Sequence, residues 1–221
     1  MSRTIVFDVN ETLLDLAALD APFVEVFGDA SARALWFAQV LQSALTGNSI
    51  GKYSNFGVIG AAALEMVAER RGVSLSDDDR SSILGTMRKL PAHPEVLAAL
   101  ERLKSAGFRL ATLTNSPLAA VDAQLAFAGI ADMFEMSLSV DAVSKFKPHR
   151  AAYDMAARRL DVAPADLMLV AAHNWDTSGA IAAGWQAAFV ARPGMVLGPL
   201  DAAPRIVGGD MTDVVEQILG G

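Results

Sequence analysis

A chain of 221 residues, 52% apolar and 19% charged, is long enough to enclose a full core and too hydrophobic to stay unfolded. With 18 basic against 25 acidic side chains, its formal charge of −7 offers no general attraction to nucleic acid or to an anionic membrane surface. The lack of cysteine excludes disulfides, thiolate metal sites and cysteine nucleophiles. The N-terminus carries no secretory-signal pattern and no apolar run reaches membrane-spanning length, so a cytoplasmic protein is expected.

Residues 3–15 hold a short apolar strand, Ile5-Val6-Phe7, that runs straight into Asp8. Val9-Asn10-Glu11-Thr12 then turns polar before Leu13-Leu14 restores the apolar pattern. A carboxylate at the carboxyl end of an inner strand stands where open α/β sheets bind ligands. Helical spacing follows over residues 16–27, 30–44 and 56–71, with a turn-rich break at 46–51. Ser76 caps a fourth helix whose first turn carries Asp77 to Asp79. Nothing from 16 to 90 reads as a strand, which makes this stretch an all-helical insertion after the first strand.

From residue 91 the pattern alternates. Helices are expected over 94–105, 117–127, 150–160, 174–183 and 210–219, and strands over 108–113, 133–138, 167–171 and 187–190. Such alternation argues for βαβ units and a parallel sheet with helices on both faces. The expected fold is therefore α/β: a Rossmann-like parallel core over residues 1–15 and 91–221, with an inserted helical cap over 16–90.

Polar groups recur at strand ends: Asp8, then Thr114-Asn115-Ser116, Lys147 in a doubly basic loop, and Asp176 after His173-Asn174-Trp175. Two carboxylates and a lysine can hold a divalent cation, or let Asp8 act as a nucleophile whose neighbours manage charge. Oxygen ligands are sparse around Asp176, which favours the metal-free use. Thr12 and Thr114 read equally well as helix caps, His173 as a base or a hydrogen-bonding spacer, Trp175 as pocket wall, and Glu11 as a solvated or salt-bridged carboxylate.

The motifs FDVNETLLD, TLTNS, SKFKP and HNWDTSGA together resemble the haloacid dehalogenase superfamily, and within it the type II 2-haloacid dehalogenases. The resemblance implies that Asp8 displaces halide from C2 of a short 2-haloacid, that water hydrolyses the resulting ester, and that no metal or other cofactor takes part. It implies that Lys147 stabilises Asp8, that Asp176 orders or activates the water, that Thr12, Thr114 and Asn115 place nucleophile and substrate carboxylate, and that Tyr153 lines the site. Asn10 replaces the second aspartate that phosphatase members use as acid/base, which argues against phosphoryl transfer. A magnesium-dependent phosphatase and a non-catalytic small-acid binder remain as alternative functions.

The chain also departs from the branch it resembles. Leu35-Trp36 is followed by Phe37 where an arginine usually cradles halide, and Arg33 lies four residues earlier. Trp36, Phe37, Asn115, His173 and Asn10 are then the candidate halide partners, with Asn10 and His173 as replacement donors, and a changed pocket could favour another halide, fluoride included. A small-molecule 2-haloacid is the expected partner. A two-fold homodimer is compatible with the resemblance.

Overall fold

The structure is a computed structural model that describes residues 4–221; Arg3 lies outside the described residues. Six parallel strands form one sheet: β1 (Thr4–Phe7), β2 (Arg109–Thr114), β3 (Met136–Ser139), β4 (Leu167–Ala171), β5 (Gln186–Val190) and β6 (Ile206–Gly208), in the order β3-β2-β1-β4-β5-β6. β1 and β4 are buried along their whole length, as continuous apolar runs covered on both faces must be. The chain leaves β1 toward β2 and β3, then returns to β4 and continues the other way. That reversal opens a crevice beyond the carboxyl ends of β1 and β4. Asp8 is the first residue past β1, and its N–H donates to the Val170 carbonyl at 3.0 Å.

The described residues from 16 to 90 form helices, turns and irregular chain only. A 3₁₀ turn over Leu16–Leu19 is followed by α1 (Asp20–Phe27), α2 (Ser31–Ile50), α3 (Phe56–Arg71) and α4 (Asp77–Thr86). The single helix expected over 16–27 is thus two pieces. Pro22 lacks the N–H that would continue the ladder and is tolerated only in the first turn of α1. Asp15 caps the 3₁₀ turn by accepting from the Ala17 N–H at 2.8 Å.

The break expected at 46–51 is helical instead. α2 runs 20 residues, and within it the hydroxyls of Thr46 and Ser49 donate back to the carbonyls of Gln42 and Leu45, at 2.9 and 3.0 Å, instead of drawing the backbone into a turn. Gly47 fits where a Cβ would come 2.7 Å from the Lys52 carbonyl oxygen, and α2 ends at Gly51 with φ 69°. Chain exit and re-entry are tied together by Asp15 N–H to the Pro91 carbonyl at 2.8 Å and His93 N–H to the Leu13 carbonyl at 3.0 Å.

The second part of the chain supplies α5 (Val96–Ser105), α6 (Leu118–Phe127), α7 (Arg150–Leu160), α8 (Asn174–Ala182) and α9 (Met211–Gly220). β3 begins at Met136, after a 3₁₀ turn over Ala131–Met133 that takes Met133, the first residue of the expected strand. β6 was not expected; three residues are too few to show a period, and only pairing with β5 makes them a strand. Among the described residues no helix is long and apolar enough to cross a membrane.

Candidate active site

The loop between β3 and α7 carries Lys147 into the crevice, with its side chain wholly shielded from solvent. Its three N–H groups meet three acceptors: Asp8 Oδ1 at 2.8 Å, Asp176 Oδ2 at 2.6 Å and the Leu113 carbonyl at 2.8 Å. An ammonium has three donors and no acceptor, so this one is fully satisfied. The loop is held from two sides. Asn115 accepts from the Lys147 backbone N–H at 2.9 Å, and Asn48 near the end of α2 clamps Phe146 by both its N–H (3.0 Å) and its carbonyl (2.8 Å). The extra turns of α2 therefore anchor the lysine loop.

Asp176 lies in the first turn of α8, where the helix dipole favours a carboxylate. Its second oxygen accepts from the Tyr153 hydroxyl at 2.6 Å. α8 can approach this closely because Gly179 faces α7 and its loop: a Cβ there would lie 2.5 Å from both the Tyr153 hydroxyl and Pro148 Cβ. Thr12 completes the other side of Asp8. Its hydroxyl accepts from the Ala172 N–H at 2.9 Å, which directs its own proton onto Asp8 Oδ2 at 2.6 Å. The Thr12 carbonyl is in turn held by the buried guanidinium of Arg192 at 2.9 Å.

His173 precedes α8 and bridges two carboxylates, with Nδ1 3.1 Å from Asp8 Oδ2 and Nε2 2.7 Å from Glu11 Oε2. A carboxylate accepts, so each ring nitrogen must carry a proton and His173 is an imidazolium. Burial pulls its pKa down, but hydrogen bonds to Asp8 and Glu11, and then their charges, raise it to about 9. The ring stacks on Trp175 at 4.9 Å between centroids, and Phe37 of α2 lies at 6.1 Å. With no free lone pair near neutral pH, His173 cannot serve as a general base there.

These contacts set the charge states. Burial disfavours ionised Asp8, yet the charge of Lys147 and the bond and charge of His173 outweigh it and hold Asp8 well below the usual carboxylate range. Asp176 also lies against Lys147, but burial and the neighbouring charge of Asp8 raise it. Burial lowers Lys147, and the two aspartates more than restore it, so its pKa is raised.

All four carboxylate oxygens of Asp8 and Asp176 face protein donors, and the ammonium stands where a cation would bridge them. The donor set does not fit the magnesium that phosphatase members of the superfamily resembled here employ. Among the described residues no group of three or more His, Asp or Glu is placed to hold a metal ion.

The structure brings together Asp8, Thr12, Asn115, Lys147, His173 and Asp176, and it relocates several other expected residues. Asn10 does not reach Asp8 by a hydrogen bond; its amide donates to Ser116 Oγ at 3.2 Å and accepts from Gln124 at 3.1 Å. The Trp36 indole N–H is engaged by the Gly60 carbonyl at 2.9 Å, and its ring lines a cleft of about 560 Å³ beside Phe56, Ser116 and Gln124. Thr114 closes the turn after β2 by accepting from the Ser116 N–H at 3.1 Å. Tyr153 is fully buried and reaches the site through its hydroxyl, which donates to Asp176 Oδ1 at 2.6 Å. His173 and Trp36 are thus removed as free halide donors and one Asn10 N–H is committed to Ser116, whereas Asn115 Nδ2 and Trp175 Nε1 meet no protein acceptor among the described residues.

Glu11 is salt-bridged, one of the two states expected for it, with His173 at 2.7 Å; Asn48, Gln124 and Arg192 are the residues that sequence reasoning did not place. Arg192 alone left a signal, a charged residue two positions past a strand.

The raised pKa of His173 has a measurable consequence. Since the folded value of about 9 lies above the unfolded one near 6.5, its stabilisation is complete below pH 6.5 and lost as pH rises through 9. Thermal denaturation is expected to show a fall of order 2–3 kcal/mol across that window. In His173→Gln the fall should be absent.

The family model for haloacid dehalogenase-like hydrolases matches residues 2–184. An (S)-2-haloacid dehalogenase of Pseudomonas sp. strain CBS-3 is 29% identical over 218 residues, covering 93% of this chain and 95% of its own. Haloacetate dehalogenase H-2 of Moraxella sp. strain B is 27% identical over 218 residues, covering 98% and 97%. Among solved structures, an L-2-haloacid dehalogenase superposes with a TM-score of 0.95 at 28% identity over 99% of both chains.

Proposed function

The chain belongs to the haloacid dehalogenase-like hydrolases, and from that premise we propose that it is a metal-independent hydrolase converting short 2-haloalkanoic acids into 2-hydroxy acids. The observation that carries this reading is Lys147, whose ammonium bridges Asp8 and Asp176 while protein donors occupy every oxygen of the pair. The likeness to relatives named for 2-haloacids and haloacetate supports the substrate class. Residues 16–90 act as the roof domain over a core of 1–15 and 91–221.

In the first half-reaction Asp8 Oδ1 attacks C2 in line with the carbon–halogen bond, and halide leaves with the bonding pair. Oδ1 accepts from Lys147, whereas Oδ2 is bonded by both Thr12 and His173. The less hydrogen-bonded oxygen keeps more of its nucleophilic lone-pair density. The departing halide is met by Asn115 Nδ2, with Trp175 and Phe37 closing the pocket.

In the second half-reaction water adds to Cγ of the ester, and Oδ2 becomes the oxyanion. The Thr12 hydroxyl and the His173 imidazolium, at 2.6 and 3.1 Å, then form an oxyanion hole around it. Asp176, made more basic by burial, takes a proton from the water. Collapse breaks the Cγ–Oδ1 bond, the product oxygen is protonated, and Asp8 returns as a carboxylate with one net proton released.

The test is halide release from 2-chloropropionate and fluoroacetate, with and without EDTA, alongside phosphate release from a generic phosphate ester. EDTA-resistant halide release with no phosphatase activity is the expected result. Magnesium-dependent phosphate release without halide would overturn the proposal in favour of a phosphatase.

A further inference from the structure

Glu11 combines three features that the reaction as described does not use. Its backbone is in the left-handed region with φ 63°, a conformation that costs a side chain with a Cβ about 1–2 kcal/mol. Its carbonyl accepts from or faces His93 Nε2 at 3.1 Å, which fixes that backbone from the re-entry point of the chain. Its carboxylate, 88% shielded, points back at His173 Nε2 at 2.7 Å, and the Arg33 guanidinium of α2 stands 4.0 Å from the other oxygen. Strain retained in a buried loop beside a nucleophile marks a position that the surroundings over-determine.

We propose that Glu11 is a positioning residue that holds His173 as the second cation on Asp8, so that the oxyanion donor is built in before substrate arrives. This rests on the dehalogenase reading for its effect on turnover, but not for the state of the ring. Glu11 touches no reacting atom. It acts through His173, fixing the ring so that Nδ1 rather than Nε2 meets Asp8, and supplying the negative charge that keeps both nitrogens protonated.

The charges around the ring make this necessary. Asp8 and Glu11 face it from the segment after β1, Lys147 lies across Asp8 from the loop before α7, and Asp176 belongs to its own helix. Arg33 faces Glu11 from α2, and His93 faces the Glu11 backbone. Two cations, Lys147 and Arg33, oppose protonation of the ring; Asp8 raises it first, but Asp8 is shared with Lys147 and Thr12, and Glu11 at 2.7 Å is the second carboxylate that raises it. Without Glu11 the ring would lose its dedicated counter-charge, and an anionic substrate would meet a site with one cation fewer at working pH.

The experiment is Glu11→Gln, which keeps the shape and an acceptor but removes the charge, with Glu11→Gly as a second variant that relaxes the backbone and removes the carboxylate. The first readout is ¹⁵N-detected histidine titration of the full chain, with His173→Gln identifying the His173 resonances. The His173 midpoint should fall by one pH unit or more in Glu11→Gln. The second readout is the pH profile of halide release. The alkaline limb, where the ring deprotonates and activity is lost, should move to lower pH by the same amount, with kcat recovering toward the parent value as pH drops. A variant that is folded by circular dichroism but titrates like the parent would overturn the proposal. A shifted midpoint without any halide release in the parent chain would leave Glu11 as the holder of the imidazolium and instead overturn the dehalogenase reading.

Discussion

Asp8→Asn is expected to abolish halide release, with kcat falling by on the order of 10⁴-fold or more. The amide is nearly isosteric but is neutral, and its nitrogen cannot displace halide. It also places two amide protons against Lys147, Thr12 or His173, all of which donate to Asp8 in the parent. Fold should survive, since Asp8 is one residue in a crevice already roofed and its backbone bond to Val170 is unaffected. A complementary measurement separates an aspartyl ester from direct attack by water. In a single turnover in ¹⁸O-water the label should enter Asp8 and not the product, because water adds to Cγ. Label found in the hydroxy acid, or full turnover by the variant, would remove the nucleophile assignment.

Lys147→Met should have the largest effect on stability, about 3–5 kcal/mol, because it leaves two buried carboxylates facing each other without their shared cation. For a chain of this size that corresponds to a fall in Tm of roughly 10 °C. The sign of its pH dependence is diagnostic. In the parent, Asp8 is depressed, so its contribution is present above the unfolded carboxylate value and is lost only as pH falls through the low folded value. In the variant the cheapest way to relieve the repulsion is to protonate Asp176, which is already raised in the parent. Lysine replacement should therefore produce a protein whose Tm climbs more steeply than the parent's as pH is lowered from 7.5 to 5, since the parent gains only the His173 contribution and only down to about pH 6.5. A variant with parental stability would mean that the ammonium does not carry the charge of the site.

Much of this architecture could be read from residue order. Apolar runs of four to six residues ending in Asp8, Thr114-Asn115 and Ala171 are strands because they alternate with helical stretches, and the carboxyl ends of parallel strands share one edge. Hence Asp8, Lys147 and Asp176 could be brought together before any coordinates. The helical stretch between the first two strands was equally plain. What failed was local. The turn-like residues 46–49 continue α2: the side chains of Thr46 and Ser49 bond the helix itself and Asn48 reaches the lysine loop, which composition does not reveal.

The side-chain pairing in the site was the least legible part. Asn10 looked like a halide donor because it follows Asp8 by two positions, yet the turn aims it at Ser116 and Gln124, the latter 114 residues away. His173 looked like a possible base, and the unexpected approach of Glu11 made it a cation. The sequence by itself determined the parallel sheet, the helical insertion and which chemical groups gather at one edge, because burial period and strand polarity are properties of short stretches. Tertiary structure alone decided which donor meets which acceptor, and so which groups are charged. Hydrogen bonds act over a few tenths of an ångström, and loops that are distant in the chain set those distances.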